Sequence, residues 1–465
     1  MKNKDKNIIL TFILKNKLKS LILFFGMIGL VSFIGAWIAV SGGHDKQNKL
    51  ILFFKSIIPT PVYQKVKDVV FIIPHLKERN KFYRTQVDKY EQGYEGRLFN
   101  TEIFISDNYK EKFELKEFFL PFKRLDLSLG WHGEENSRRA HHFEIIDDKV
   151  MVISGEAETI YFDKKNIYKK KLNQIVINNN LKNILEKNNS RLIGIRDLYF
   201  EDNKIYISML LENERGITIN AYQAKLNYEN LIFEDFFITD HYWCCYNVYS
   251  GGRLEKYKDN KILFSIGFQG MWPAAQSTEN TLGKILAIDK DTSEFEFVSI
   301  GHRNPQGLKF IEEKNIILNT EHGPKGGDEI NINYLNKNNG RIPNFGWAVS
   351  SYGVNYTGPD TLLKSHSKYG FDEPFKWYTP AIGISQLEYL SKNESFDKKD
   401  YLYVSSLRAG SVYIYQINDE LDKIIKEDRI WFNSKRIRDI KYDAETKLFF
   451  IIFEFTPSIA VLKLL

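Results

Sequence analysis

The 465-residue sequence predicts an all-β protein, a six-bladed β-propeller preceded by a single N-terminal transmembrane helix. Three observations predict it. A polar turn followed by an apolar strand recurs six times, at Asp147–Ile153, Asp202–Ile207, Asp259–Phe264, Glu313–Leu318, Lys399–Val404 and Glu445–Phe450. Most of these strands lead through a glycine or small-residue turn into a second one, as in Gly283–Asp289 and Gly410–Tyr415. Ahead of them, Ser20–Gly43 carries no charged side chain. Short strands with polar turns at a period of tens of residues mark a radial propeller, and six units imply six blades.

From the N-terminus, residues 1–19 form a basic tail, with Lys2, Lys4, Lys6, Lys15, Lys17 and Lys19 against a single Asp5. Residues 20–43 are long and apolar enough to cross a bilayer, and the lysines ahead of them keep the tail cytoplasmic and the remainder outside. The alternative is a secretory signal cut after Ala39-Val40-Ser41. Residues 44–120 do not fit the period and are expected to be a membrane-proximal linker, with the propeller over 121–465. Within it, Asn339–Pro380, rich in Gly, Pro, Tyr and Ser, widens the gap before the fifth unit and is expected to be a functional insertion.

The net charge of +6 belongs almost wholly to the tail, which alone carries +5. The exported part is therefore near neutral, and a nucleic-acid partner is not expected. The two cysteines, Cys244 and Cys245, are adjacent. A vicinal disulfide between them is strained, and the alternative is a pair of small buried thiols.

The chemistry concentrates in Gly301–Asn331, where Arg303-Asn304-Pro305-Gln306 and Glu321-His322-Gly323-Pro324 flank one short strand. That strand brings both loops to one site. Gly323, Gly326 and Gly327 let backbone atoms approach a ligand, and bare carbonyls beside Asp328 and Glu329 are hard oxygen ligands of the sort calcium accepts. Arg303 and Asn304 suit a carboxylate or a quinone oxygen. The plainer alternative is a set of tight turns with solvated acids.

The same words resemble the quinoprotein glucose/sorbosone dehydrogenase family. They are Gly301–Leu308, Glu321–Asn331, Asn344-Phe345-Gly346-Trp347, Ser406-Leu407-Arg408 and Arg436-Ile437-Arg438-Asp439. The resemblance is specific over about residues 281–450. It implies pyrroloquinoline quinone (PQQ) and calcium as cofactors, a sugar or polyol as substrate, and a propeller top face as the site. Gly323 and Pro324 would give the calcium carbonyls, Arg303 and Asn304 would meet quinone or substrate, and Arg436 and Arg438 would grip cofactor carboxylates. Arg408 falls where the family carries a lysine, and Trp377 and Tyr378 where it places aromatics near the cofactor plane or in the core. No electron acceptor is implied.

The family's catalytic base departs from this pattern. It is a histidine four residues before the arginine of a Gly-Arg-Leu word, and Tyr249 takes that position ahead of Arg253-Leu254. A phenol with an ordinary pKa near ~10 accepts a proton at neutral pH only when cations lower it. His241, His132, His141 and His142 are the displaced alternatives. The family's glutamine-containing word is also missing around Arg191–Asp197, where only Gly194 and Asp197 match. Two functions follow: an anchored, extracytoplasmic quinoprotein oxidoreductase, or a non-catalytic propeller that binds a glycan, an envelope component or a protein.

Overall fold

The computed structural model describes residues 98–99, 104–105, 113–122, 140–169, 171–243, 249–356, 358–433, 435–455 and 457–464, all within the unit Gly93–Leu465. The basic tail, the Ser20–Gly43 segment, most of the expected linker, His132 and Cys244–Cys245 lie outside the described residues. Among the described residues, no helix is long and apolar enough to cross a membrane.

Six sheets follow one another along the chain, antiparallel throughout except where Asn230–Leu231 adds a parallel edge to Ile175–Asn179. Their innermost strands are His142–Ile146, Arg191–Glu201, Gly251–Tyr257, Pro305–Ile311, Ile384–Leu390 and Ile437–Asp443, here blades 1 to 6. Each inner strand lies beside the next, and the sixth returns to the first. This is the six-bladed propeller that the recurring turns predict. The turns themselves show why: in blades 2 and 3 the hairpins are made by Asp202-Asn203 and Asp259-Asn260, all four at φ between 50° and 59°. Two successive left-handed residues make the tight turn whose twist matches paired strands, and Asp and Asn tolerate that conformation best after glycine.

Both faces of each blade are covered, so the strands read as continuous apolar runs rather than alternating ones. Lys261–Ile266 illustrates it. Ile262, Phe264 and Ile266 pack toward blade 2 against Leu210, Ile219 and Phe236, while Leu263 packs toward blade 4 with Leu308 and Ile317. Six apolar seams of this kind, one per pair of neighbouring blades, hold the ring. Each fully buried Ile, Leu or Phe contributes roughly 1.5–3 kcal/mol.

The propeller takes in more chain than the expected start at 121. Phe113–Phe119 is the fourth strand of blade 6, antiparallel to Ser458–Leu464, with Phe118 opposite Ile459. Leu98–Phe99 and Phe104–Ile105 add edges to blades 6 and 5. The period missed Phe113–Phe119 because its partner stands at the far end of the propeller and no hairpin announces it.

Polar bonds also stitch the inner strands together. Arg253 of blade 3 bonds Asp197 of blade 2 at 2.8 Å and Asp439 of blade 6 at 2.7 Å, and its Nε donates to the Gln306 carbonyl of blade 4 at 2.7 Å. His142 of blade 1 has Nδ1 within 3.7 Å of both carboxylates. All four side chains are buried.

The expected insertion runs from Leu335 to Phe375, and Lys376–Tyr378 returns as the outer strand of blade 4. It climbs to the face that carries the strand-entry loops. There the Phe345 and Trp347 amides bond the Ile300 and Gly301 carbonyls, and Val354 bridges Lys325.

Candidate active site

Blade 4 supplies the centre of the site. The Arg303 backbone N–H donates to Glu321 Oε2 at 2.7 Å, and Glu321 Oε1 accepts from Asn331 Nδ2 and faces His302 Nδ1. With its backbone fixed, the buried Arg303 guanidinium lies 4.3 Å from the Tyr249 ring centroid, 5.2 Å from Trp347 and 5.9 Å from Phe268. Its Nη1 donates to the His322 carbonyl at 2.9 Å, and its Nε has no partner among the described residues. A guanidinium laid on ring faces is oriented without losing its charge.

Asn304 Oδ1 accepts from the Gly251 N–H at 3.2 Å and from Gln306 Nε2 at 2.9 Å, and its Nδ2 lies 3.5 Å from His322 Nδ1. Gln306 Oε1 in turn accepts from Arg438 Nη1 at 2.7 Å. Arg438 and Arg436 share one carboxylate, that of Glu454, with Arg436 Nε at 2.6 Å. Arg438 Nε is a buried donor with no partner among the described residues.

Arg408 is exposed and makes no ion pair among the described residues. It joins the others through Tyr356 of the insertion. The Tyr356 side chain is largely exposed, and its hydroxyl lies within electrostatic reach of both Arg303 and Arg408. Burial pushes that hydroxyl up, while Arg303 and Arg408 act in the opposite direction and Tyr249 and Asp328 add to the rise. His322 links the remaining side: burial lowers its pKa, Asp328 opposes that, and Arg438 and Arg303 reinforce it. Its Nε2 sits 2.5 Å from the Ile384 carbonyl, which assigns the proton to Nε2 and leaves Nδ1 an acceptor facing Asn304 Nδ2. Arg303, Arg408, Arg436, Arg438, Tyr249 and the Gly323 loop are thus brought together on one face.

In that loop, the Gly323 and Pro324 carbonyls accept no hydrogen bond among the described residues. Gly323 has no room for a side chain, since a Cβ there would meet the Gly327 carbonyl oxygen at 2.0 Å. The adjacent acids are not open ligands. Asp328 accepts from the Gly323, Gly383 and Ile384 N–H groups at 3.1, 2.7 and 3.1 Å, which pins the loop against blade 5. Glu329, pushed up to about 7 by burial, stands 3.5 Å from His366 Nε2.

Other expected residues fall elsewhere. Tyr378 belongs to the core between blades 4 and 5, its hydroxyl 2.5 Å from that of Tyr415. Trp377, its strand neighbour, points the opposite way and stacks on Tyr352 at 4.0 Å. Strand alternation separates the pair. His141 stacks on Phe122, His142 belongs to the Arg253 network, and His241 Nδ1 lies 3.5 Å from Thr281 Oγ1. His322, Tyr356, Trp347 and Glu454 were not singled out as site residues. For His322 the signal was present, inside the Glu321–Pro324 word itself.

A sugar-dehydrogenase-like propeller is the class that this fold and this cationic, carbonyl-lined face define. The chain belongs to the Glucose / Sorbosone dehydrogenase family, whose family model matches residues 144–456. It is 26% identical over 221 residues to the aldose sugar dehydrogenase YliI of Escherichia coli (strain K12), covering 44% of this chain and 57% of that protein. It is 32% identical over 114 residues to quinoprotein glucose dehydrogenase B of Acinetobacter calcoaceticus, covering 18% and 24%. The chain spans about half the length of the curated relatives it matches most extensively, 57% and 50%. Among solved structures, a glucose dehydrogenase superposes with TM-score 0.57 at 17% identity over 70% of this chain and 97% of that one. The PQQ-bound aldose sugar dehydrogenase of Streptomyces coelicolor superposes with TM-score 0.50 at 17% identity, over 75% and 98%. At these identities the superpositions establish the shared fold.

Proposed function

We propose that this protein oxidises a sugar or polyol outside the cytoplasm, with PQQ and calcium held on the pocket face and the membrane reached through Ser20–Gly43. The observation that carries the reading is Arg303, a buried guanidinium laid on three aromatic rings with its Nε unpartnered. An acceptor-rich anion fits these residues. Arg303 Nε and Arg438 Nε are buried donors in need of acceptors, and unpaired buried donors are costly unless a ligand satisfies them. Arg436 and Arg438 would hold the cofactor's carboxylates, Arg408 and Asn304 its quinone side, and the Gly323 and Pro324 carbonyls the calcium. With Asp328 committed to backbone N–H groups, the remaining calcium ligands would come from cofactor and water.

When bound, the quinone supplies the two-electron acceptor for hydride. The chain's own residues orient and neutralise. Arg303 is fixed by the ring faces and by the His322 carbonyl, so it can meet developing negative charge on a substrate oxygen without reorganising. Tyr356, held neutral by burial and within electrostatic reach of Arg303 and Arg408, can donate a hydrogen bond from its phenol. The substrate hydroxyl proton would pass to His322 Nδ1, the acceptor nitrogen of a neutral imidazole, or to Tyr249 Oη at the family's base position once that phenol has itself lost its proton.

A second reading is a glycan-, envelope- or protein-binding propeller without turnover, and Tyr249 at the base position favours it. One experiment separates the two. The full-length protein is incubated with calcium and micromolar PQQ and assayed for a bound-quinone spectrum and for dye reduction on aldoses and alcohols. Bound quinone with turnover supports oxidation, bound quinone without turnover on the whole panel supports the second reading, and no quinone binding overturns the cofactor assignment.

A further inference from the structure

On the rim of blade 1, lysines and exposed apolar side chains share one short stretch of chain. From Lys164 to Leu185 there are six lysines and no carboxylate, and the first part of this stretch links the third strand of the blade, Thr159–Asp163, to the fourth, Ile175–Asn179. The link is fixed from inside. Ile167 and Leu172 are buried with Phe118, Phe162 and Ile459 in the seam between blades 1 and 6, the buried Lys164 ammonium reaches Asp443 at 2.9 Å and Glu445 at 2.8 Å, and the Gln174 amide donates to the Phe119 carbonyl at 2.7 Å. Lys165, Tyr168, Lys169 and Lys171 are left in solvent. Tyr168 is 61% exposed, and Ile175 and Val176 follow at 41% and 69%. These two strand residues are bare because Asn230–Leu231 pairs only with Asn178 and Asn179, which leaves the outer edge before them open.

The charge of this patch is not spent on the protein. Asp148 and Asp163 face Lys149 at 2.9 and 3.6 Å, Glu114 faces Lys116 at 3.5 Å, and Glu445 holds Lys164, so these carboxylates are engaged with other lysines. Lys165, Lys169 and Lys171 make no ion pair among the described residues. The patch also has a definite place, on the end of the ring opposite the pocket. The Lys164 N–H bonds the Asp148 carbonyl in the hairpin between the first two strands of blade 1, and Asp443 and Glu445 flank the equivalent hairpin of blade 6. Those hairpins close the exit ends of the inner strands, whereas Arg303 stands at an entry end. Strand Phe113–Phe119 begins on the exit side too, with Phe113 opposite Leu464, and its Lys116 lies 5.8 Å from the Tyr168 ring centroid.

We propose that Tyr168, Ile175 and Val176, with Lys165, Lys169 and Lys171 around them, dock on a bilayer that carries anionic headgroups and hold the propeller with its pocket turned away from the lipid. The proposal rests on the membrane-anchored reading and adds an orientation to it. A tyrosine ring suits the headgroup layer, two aliphatic side chains suit the boundary beneath it, and lysines meet lipid phosphates. A protein partner ordinarily buries a larger continuous surface than one tyrosine and two aliphatics provide. The open strand edge could otherwise receive a second copy of the chain, but lysines flanking such an edge oppose that pairing, since like charges would meet. A negatively charged, deformable surface is the occupant that remains.

The test uses the full-length protein in three settings: an uncharged detergent, phosphatidylcholine nanodiscs, and nanodiscs with about one lipid in three replaced by phosphatidylglycerol. Brief amine acetylation is then read lysine by lysine by mass spectrometry. Lys165, Lys169 and Lys171 should react about threefold or more slowly on the phosphatidylglycerol discs than in the other two settings, while exposed Lys368 of the insertion keeps one rate throughout. Tyr168→Ser combined with Val176→Ser should remove most of that protection, with unchanged circular dichroism. Equal acetylation in all three settings, or protection that survives the double substitution, overturns the docking. Protection in detergent that grows with protein concentration makes a second copy the occupant and overturns it as well. The anchor is read separately. A chain that fails to enter phosphatidylcholine discs, yet binds phosphatidylglycerol discs with its lysines protected, keeps the docking and removes the anchor; entry into both discs with equal acetylation does the reverse.

Discussion

Arg303 lies over the face of Tyr249, with the guanidinium carbon 4.3 Å from the ring centroid, so the cation addresses the phenol's ring. The residue at the family's base position is therefore also part of the seat that orients the arginine, and substitutions there separate the two roles.

Tyr249→His supplies the missing imidazole while keeping an aromatic ring under Arg303. Turnover of PQQ-loaded protein on aldoses should rise by about 10²-fold, the lower end of what a placed general base contributes. Tyr249→Phe keeps the ring and removes the hydroxyl, and should abolish residual turnover if Oη is the acceptor. Steady-state dye reduction reads both; unchanged rates in both variants move the proton to His322 Nδ1.

Calcium should stabilise the loaded protein through the Gly323 and Pro324 carbonyls. Chelation with EGTA should lower the melting temperature of the PQQ-loaded protein by several degrees, since a ligand at about 100 times its Kd adds roughly 2.7 kcal/mol. Scanning fluorimetry with calcium and then magnesium re-added checks it. Magnesium should restore little, because it demands a tighter octahedral shell than two backbone carbonyls begin to provide.

Arg253→Leu should be among the most damaging single changes away from the pocket. It strands two buried carboxylates, Asp197 and Asp439, and breaking such a network costs about 3–5 kcal/mol. Adding Asp197→Asn and Asp439→Asn should recover much of the loss. Urea denaturation of the single and triple variants measures the difference.

Acid should loosen the ring before it reaches the ordinary carboxylate range. Burial lowers His141 to about 4 and His142 to about 3, from 6.5 for an ordinary imidazole. As pH falls below 6.5 the unfolded chain binds these protons first, so stability is complete above that value and declines progressively toward pH 4 and 3. The full decline is on the order of 3 kcal/mol for His141 and about 5 kcal/mol for His142. Comparing wild type with His142→Gln by urea titration at pH 7 and 5 tests it: the variant's loss between the two should be smaller.

The repeating architecture was readable because it is written locally. Asp202-Asn203 and Asp259-Asn260 dictate their hairpins within two residues, and an apolar run such as Lys261–Ile266 declares a strand covered on both sides. The site was readable only in its central words. Arg303, Asn304 and the Gly323 loop sit where those words put them, but Asp328 proved to be a backbone clamp, because its oxygens meet N–H groups of residues 383 and 384 that no local pattern pairs with it. Tyr378 and Trp377 were read together although strand alternation sends neighbours apart. Tyr356 was hidden because an irregular insertion carries it across the face, and no periodicity gives the path of such a segment.

The strand Phe113–Phe119 brings one further property with it. Glu117 at its middle is fully enclosed, pairing with Lys435 and accepting from Ser458 Oγ at 2.6 Å. Those partners lie more than 300 residues further along the chain. Until blade 6 exists, neither of these two partners is in place. A docking slipped by one residue would turn the carboxylate to the opposite face of the blade and part it from Lys435 and Ser458, at a cost of several kcal/mol. The last seam of the ring thus proofreads itself: charge neutralisation admits one alignment of the two distant strands, and the closing step waits for the correct one.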